Sequence, residues 1–204
     1  NFNGYYTAGN NIVDNGDDVV VGVGTFSGAP YASDYSVYYT NAIYFSLVCS
    51  GAVHTCIFDG LNSHRLIMRI DGTGGGTMTL AGIHFKDGYR SGSSWHGGSL
   101  YICCSALVSV QGCKLSSNQA SNGAGIFARD SGTTLNIFTT TFDGNTATNN
   151  GDDICVRSSA SVTVHSTCPP DWSGTPAAGS NLDTDNRPDY PGTISGTTKS
   201  FDIG

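Results

Sequence analysis

The chain contains no glutamate: all 16 of its acidic residues are aspartate, and only nine lysines and arginines stand against them. Leucine and lysine are sparse, whereas glycine, at 28 residues, is abundant alongside threonine, serine, valine and isoleucine. A chain short of good helix formers and rich in β-branched residues favours strands and turns, which points to an all-β protein. Basic residues are too few to cover phosphates, and the formal charge is −7 with a pI near 4.8, so a nucleic-acid partner is excluded. No apolar run approaches the ~20 residues needed to span a bilayer, so no membrane span is expected. The seven cysteines form no CxxC pair and no Cys/His zinc spacing, and the five histidines show no HExxH or similar arrangement. No metal and no cofactor are therefore expected, and the cysteines fit an oxidising compartment. No signal peptide opens the chain, which reads as a mature secreted protein, extracellular or at the cell surface. Asn-x-Ser/Thr is missing as well, which removes N-glycosylation and leaves O-linked sugar open.

What is present is a repeat. TMTLAGIHFKDG from Thr77, LVSVQGCKLSSN from Leu107, TLNIFTTTFDGN from Thr134 and SVTVHSTC from Ser161 recur at roughly one β-solenoid coil (~25 to 30 residues). Aligned, they give one apolar column of Met78, Val108, Leu135 and Val162. A second column is Leu80, Val110, Ile137 and Val164, and a third is Phe85, Leu115 and Phe142. Apolar residues alternating with Thr, Ser and Asn indicate strands with one buried face, and the fixed recurrence of that face indicates stacked coils. A further strand precedes each copy, in LIMRI, LYICC, IFARD and ICVRS, with Leu66, Leu100, Ile126 and Ile154 expected inward. The turns are rich in Gly and Asn, which tolerate left-handed backbone. Asn118 and Asn145 occupy one repeat position, where side-chain amides bonding along the stack would form an asparagine ladder.

If Leu66, Leu100, Ile126 and Ile154 point inward, then Ile67, Tyr101, Phe127 and Cys155 form an outward row, and Arg69, Cys103, Arg129 and Arg157 form the row beside it. An apolar and aromatic row beside guanidinium groups suits a protein interface or a sugar-stacking face, with Ile67, Arg69, Tyr101, Phe127, Arg129 and Arg157 as its residues. The competing reading is a loop or the chain's own tail folded over the face, each Arg paired to a local Asp such as Asp71 or Asp130. No carboxylate falls in either row, so no catalytic residue is assigned. Disulfide candidates are Cys49 with Cys56, Cys104 with Cys113 and Cys155 with Cys168, leaving Cys103 over. Adjacent Cys103 and Cys104 are expected on opposite faces of a strand. The Asp17–Asp18 and Asp152–Asp153 pairs read as acidic turns that cap strands. The outward columns are too mixed for an ice-binding lattice.

Residues 169–204 carry five of the six prolines and no coil pattern, so two regions are expected: a solenoid over 1–168 and a Pro/Gly/Thr-rich tail over 169–204. Five or six coils are expected, standing about 25 to 30 Å tall at ~4.8 Å each. The succession DDVVVGVGTFSG, CIFDG, MTLAGIHFKDG, GCKLSSNQASNGAGIFA and TTFDGNTATNNGDDI resembles secreted proteins of the right-handed parallel β-helix, pectate-lyase-like class. The closest similarity is to repeats of the polymorphic outer-membrane proteins, in which a GG(A)I strand alternates with an F..N.A turn. The resemblance implies a single-stranded right-handed parallel β-helix with an irregular C-terminal extension. It leaves activity open, because a fold hosts many functions. The NTD, GHG and RIK signatures of polygalacturonases are missing. The expected function is that of a non-catalytic structural subunit of a filament, appendage or surface layer, self-associating head to tail or by tail exchange. The alternative is a carbohydrate-active or carbohydrate-binding β-helix acting on acidic polysaccharide.

Overall fold

The computed structural model describes residues 17–27, 35–39, 44–71, 76–90, 92, 96–165, 182–184 and 193–196. The chain winds as an all-β parallel solenoid of about four turns. Three short strands open it: β1 (Asp17–Val21), β2 (Gly24–Phe26) and β3 (Tyr35–Tyr39). The first full turn follows as β4 (Tyr44–Cys49), β5 (Cys56–Asp59) and β6 (Arg65–Asp71), and the second as β7 (Thr77–Ala81), β8 (Ile83–Lys86) and β9 (Leu100–Cys103). The third is β10 (Leu107–Gln111), β11 (Lys114–Ser116), β12 (Gln119–Asn122) and β13 (Ile126–Arg129). The fourth is β14 (Thr134–Phe138), β15 (Thr141–Asp143), β16 (Thr146–Asn150) and β17 (Ile154–Arg157). Strand β18 (Ser161–His165) begins another rung, β19 (Leu182–Thr184) stacks on β17, and β20 (Thr193–Gly196) stacks on β18. The count of about four turns is slightly lower than the five or six coils expected.

Each turn contributes one strand to each of three long sheets, ordered β1-β4-β7-β10-β14-β18-β20, β15-β11-β8-β5-β2 and β19-β17-β13-β9-β6-β3, with β12 and β16 pairing on the side. Every pairing is parallel. The column predicted from the repeat is the register found: Met78 faces Val108, Val108 faces Leu135, and Leu135 faces Val162, with Leu80, Val110, Ile137 and Val164 alongside. All eight are buried. The column reaches back to Leu47 opposite Leu80, and to Val19 opposite Leu47. In the second sheet Phe85, Leu115 and Phe142 stack, preceded by Phe58 and Phe26, whose rings follow one another at 5.6 Å centroid spacing. Aromatic pairs at that spacing add attraction beyond their buried area.

The third sheet departs from expectation. The four residues of β6 from Ile67 to Ile70 span the same rise as the three of β9 from Leu100 to Ile102. This bulge shifts the alternation, so Ile67 meets Leu100 and both Leu66 and Ile67 lie in the core. The outward row therefore starts at Tyr101, and Ile67 is not part of it. Opposite Cys103 stands Asp71 in place of Arg69. The bulge could not be read from LIMRI, in which the three consecutive apolar residues Leu66, Ile67 and Met68 are compatible with either register.

Turns are held by one polar column and one glycine column. The Asn118 amide nitrogen donates to Asn145 Oδ1 at 2.9 Å and to Phe85 O at 3.3 Å, while its oxygen accepts from the Gly88 amide at 2.9 Å. Asn145 in turn donates to Leu115 O at 3.1 Å and Asp153 Oδ1 at 2.9 Å. The second column is Gly97, Gly123 and Gly151, each three residues before the inward Leu100, Ile126 or Ile154, with φ of 68°, 57° and 62°. A Cβ there would stand 2.2 to 2.4 Å from the carbonyl oxygen three residues on, so only glycine fits.

Leu135 is flanked by core residues of the rungs above and below, so Leu135→Ala should cost about 2 to 5 kcal/mol in urea unfolding. Asn118→Ala, which strips partners from three buried polar groups, should cost about 2 to 4 kcal/mol in the same measurement.

Candidate functional site

The outer face of the third sheet gathers most of the residues singled out above. Tyr101 on β9, Phe127 on β13 and Cys155 on β17 stand opposite one another in register, because odd positions of these strands point away from the core. The Tyr101 and Phe127 rings stack at 5.5 Å, and the Arg157 guanidinium lies 5.6 Å from the Phe127 ring centre. Arg129 donates through Nε to Asp130 Oδ1 at 2.8 Å and stands 3.5 Å from the Tyr101 hydroxyl. Burial raises the Tyr101 phenol above its ordinary pKa. The side chain of Arg69 lies outside the described residues.

This row is roofed by its own chain. The His96 ring stacks on Phe127 at 4.3 Å, and Phe127 and Cys155 are fully buried. His96 is held by a bridge to Asn122 and by the Asn122 amide nitrogen, 2.9 Å from its Nδ1. Arg65 anchors the segment from beneath. Its Nε donates to Gly97 O at 2.6 Å, a second guanidinium nitrogen donates to His96 O, and the cation lies 5.2 Å from the Tyr101 ring centre. Arg65 and His96 stand outside the repeat columns, so no periodic pattern marks them. A signal existed only in the excess length of the loop between β8 and β9.

The cysteines fall into three settings. Cys49 and Cys56 form a disulfide across the corner from β4 to β5, with Cα atoms 5.6 Å apart. Cys113 is a core residue whose thiol points to Leu80 O and Gln111 O, and burial pushes its pKa up to about 12. It is therefore not joined to Cys104, contrary to expectation, because its position on the chain faces inward between two rungs. Cys104 instead adopts φ of 62°, which turns its side chain back toward Cys103, and the two sulfurs are 2.6 Å apart. The expectation of opposite faces fails because the strand ends at Cys103. Asp130 Oδ2 lies 3.8 Å from Cys104 Sγ. Cys103, Cys104 and Asp130 are the one group of three metal-capable donors brought together among the described residues. Cys155 is on β17, but Cys168 lies outside the described residues.

Carboxylates elsewhere are engaged by amides, a hydroxyl or lysines. Asp152 Oδ1 accepts from the Ala147 amide at 2.7 Å and Asp153 from Asn145, while Asp18 accepts from the Ser46 hydroxyl. Asp17 and Asp18 begin strand β1 and are not in a turn. Asp59 and Asp87 both hold Lys86, at 2.9 and 3.0 Å, and Asp143 holds Lys114 at 3.1 Å. His84, bonded to Ser116 Oγ at 2.7 Å, has its pKa lowered to about 4 by burial first and then by Lys114, His54 and Lys86.

Because His84 takes its proton more readily in the unfolded chain, its contribution to stability is whole above about pH 6.5 and is lost as pH falls toward about 4. Urea unfolding at about pH 7 and about pH 4.5 should show that fall, and His84→Gln should flatten it. Arg65→Met should cost about 1.5 to 3 kcal/mol, as charged hydrogen bonds do, and should expose the Tyr101–Phe127 stack to solvent in near-ultraviolet spectra. Comparison with protein-family models, with curated proteins and with solved structures finds no match to this chain, so its fold stands on the geometry above.

Proposed function

We propose that this chain is a secreted, non-catalytic structural subunit that self-associates end to end along the solenoid axis into a filament, appendage or surface layer. The observation that carries the reading is the state of the terminal rungs. Among the described residues, the second sheet ends at β15 on one side and β2 on the other, and the side ladder ends at β16. A terminal strand of a parallel stack presents backbone donors and acceptors with no rung beyond it, and such edges are capped or joined. On β16, Thr146, Thr148 and Asn149 are exposed, and at the opposite end Val20 and Val23 are 65% and 64% exposed. Strands at both ends run parallel in the same sheets, so the last rung of one copy can receive the first rung of the next. That contact joins two different surfaces and propagates unless it closes into a ring. Strands β19 and β20 add to β17 and β18 of their own chain, and exchanging them with a neighbour is the tail-swapped form of the same assembly.

Two further observations support a structural role. The aromatic row that would suit sugar stacking is roofed by His96 and Gly97, and acidic groups that a polysaccharide lyase or hydrolase would need are bound to amides, lysines or a hydroxyl, Asp59 and Asp87 sharing Lys86. The Cys49–Cys56 bridge fits an oxidising compartment.

Sedimentation of the full chain over a wide concentration range, with electron microscopy of the same samples, should reveal elongated oligomers. The double substitution Thr148→Lys and Asn149→Lys, which places charge on the β16 edge, should suppress them without unfolding the chain. Strictly monomeric behaviour at every concentration would refute the assembly. Release of unsaturated uronides from polygalacturonate with calcium would replace it with the lyase reading.

A further inference from the structure

The turn after the outer strand recurs in each of three successive coils. Cys104, Asp130 and Ser158 occupy equivalent positions after β9, β13 and β17, and all three have left-handed backbone, with φ of 62°, 77° and 55°. A residue in this conformation swings its side chain out of strand alternation and toward the residue before it. In the middle coil the effect is visible as an ion pair between neighbours, Arg129 Nε to Asp130 Oδ1 at 2.8 Å. In the preceding coil both neighbours are cysteines, and their sulfurs are brought to 2.6 Å. Non-bonded heavy atoms rest at roughly 3.5 to 4.0 Å, so the pair stands well inside ordinary contact. Two thiolates on one tetrahedral zinc, at about 2.3 Å each, would be about 3.8 Å apart, so the spacing suits a bond between the sulfurs better than a shared metal. Cys103 is buried, Cys104 is half-buried and Ser105 beside it is exposed, so Cys104 is the member of the pair nearer solvent.

We propose that Cys103 and Cys104 form a redox-closable dithiol: a modification site at which a low-molecular-weight disulfide oxidises the pair to a bridge between adjacent residues. The Cys104 thiolate attacks one sulfur of the reagent disulfide, whose S–S bond breaks and releases one thiolate. The Cys103 thiolate then attacks the Cys104 sulfur, forming the Cys103–Cys104 bond and expelling the second reagent thiolate. Two protons leave the protein thiols and end on the two reagent thiols, and the two electrons lost by the pair reduce the reagent. Adjacent Cα atoms are about 3.8 Å apart across a trans peptide, below the usual span of a disulfide, so the bridge should reopen under mild reductant. Cys113 does not compete, since it faces the core between rungs.

The test uses the full chain treated with oxidised glutathione, then denatured in N-ethylmaleimide and cut with trypsin. Cleavage after Arg90 and Lys114 gives one fragment that carries Cys103, Cys104 and Cys113. The expected fragment lacks two hydrogens and bears a single maleimide, on Cys113; after dithiothreitol it should bear three. Cys113→Ser should keep the bridge and lose the label. Three maleimides after oxidation, a bridge from either neighbour to Cys113, or a persistent glutathione adduct would each overturn the assignment. So would stoichiometric uptake of zinc by the oxidant-treated protein, which would make Cys103, Cys104 and Asp130 a metal site instead.

Discussion

Backbone hydrogen bonding along the stack is the constraint on which the rest of this structure depends. A parallel rung is satisfied only by another rung of the same shape directly above or below it, so each coil must repeat the path of its neighbour. Repetition of path forces repetition of side-chain position, and identical positions one rung apart, about 4.8 Å, must suit one another by size and polarity. That is why Val108 sits between Met78 and Leu135, and why Leu115 sits between Phe85 and Phe142. The core is a column rather than a sphere, and its stability is close to a sum over rungs and the contacts between them.

The same logic governs the polar parts. An amide at a repeat position finds another amide one rung away, so Asn118 and Asn145 satisfy buried backbone groups that the strands leave behind at their corners. The glycine column works by exclusion: the turn there brings a carbonyl so close that any Cβ would collide with it. Amide and glycine together fix where each strand ends, which sets the register of the next.

Departures from the repeat are where this chain acquires its particular chemistry. The bulge in β6 admits an extra residue and draws Ile67 into the core, so Arg65 and Tyr101 come to share a site beneath the His96 segment. Farther along, a left-handed turn that pairs Arg129 with Asp130 in one coil pairs two cysteine sulfurs in another. Burial separates the thiols by role: Cys113 is held far from ionisation in the core, while Cys104 lies where solvent can reach. Among the described residues, the second sheet ends at β15 on one side and at β2 on the other.

The columns Met78 to Val162, Leu80 to Val164 and Phe85 to Phe142 were determined by the sequence alone, because a period of one coil superimposed on a period of two leaves few ways to align the strands. The Asn118–Asn145 position was legible for the same reason. Composition determined the all-β class, since a chain without glutamate and with little leucine has few means to build helices. The tertiary structure decided what no period encodes. LIMRI reads equally well in two registers, and only the fit of Ile67 against Leu100 chose between them. Alternation along LYICC implied opposite faces for Cys103 and Cys104, but strand alternation ends where the backbone turns left-handed at Cys104. The roof over Phe127 depends on contacts between residues far apart in the chain, Arg65 with Gly97 and Asn122 with His96, which a local pattern cannot carry.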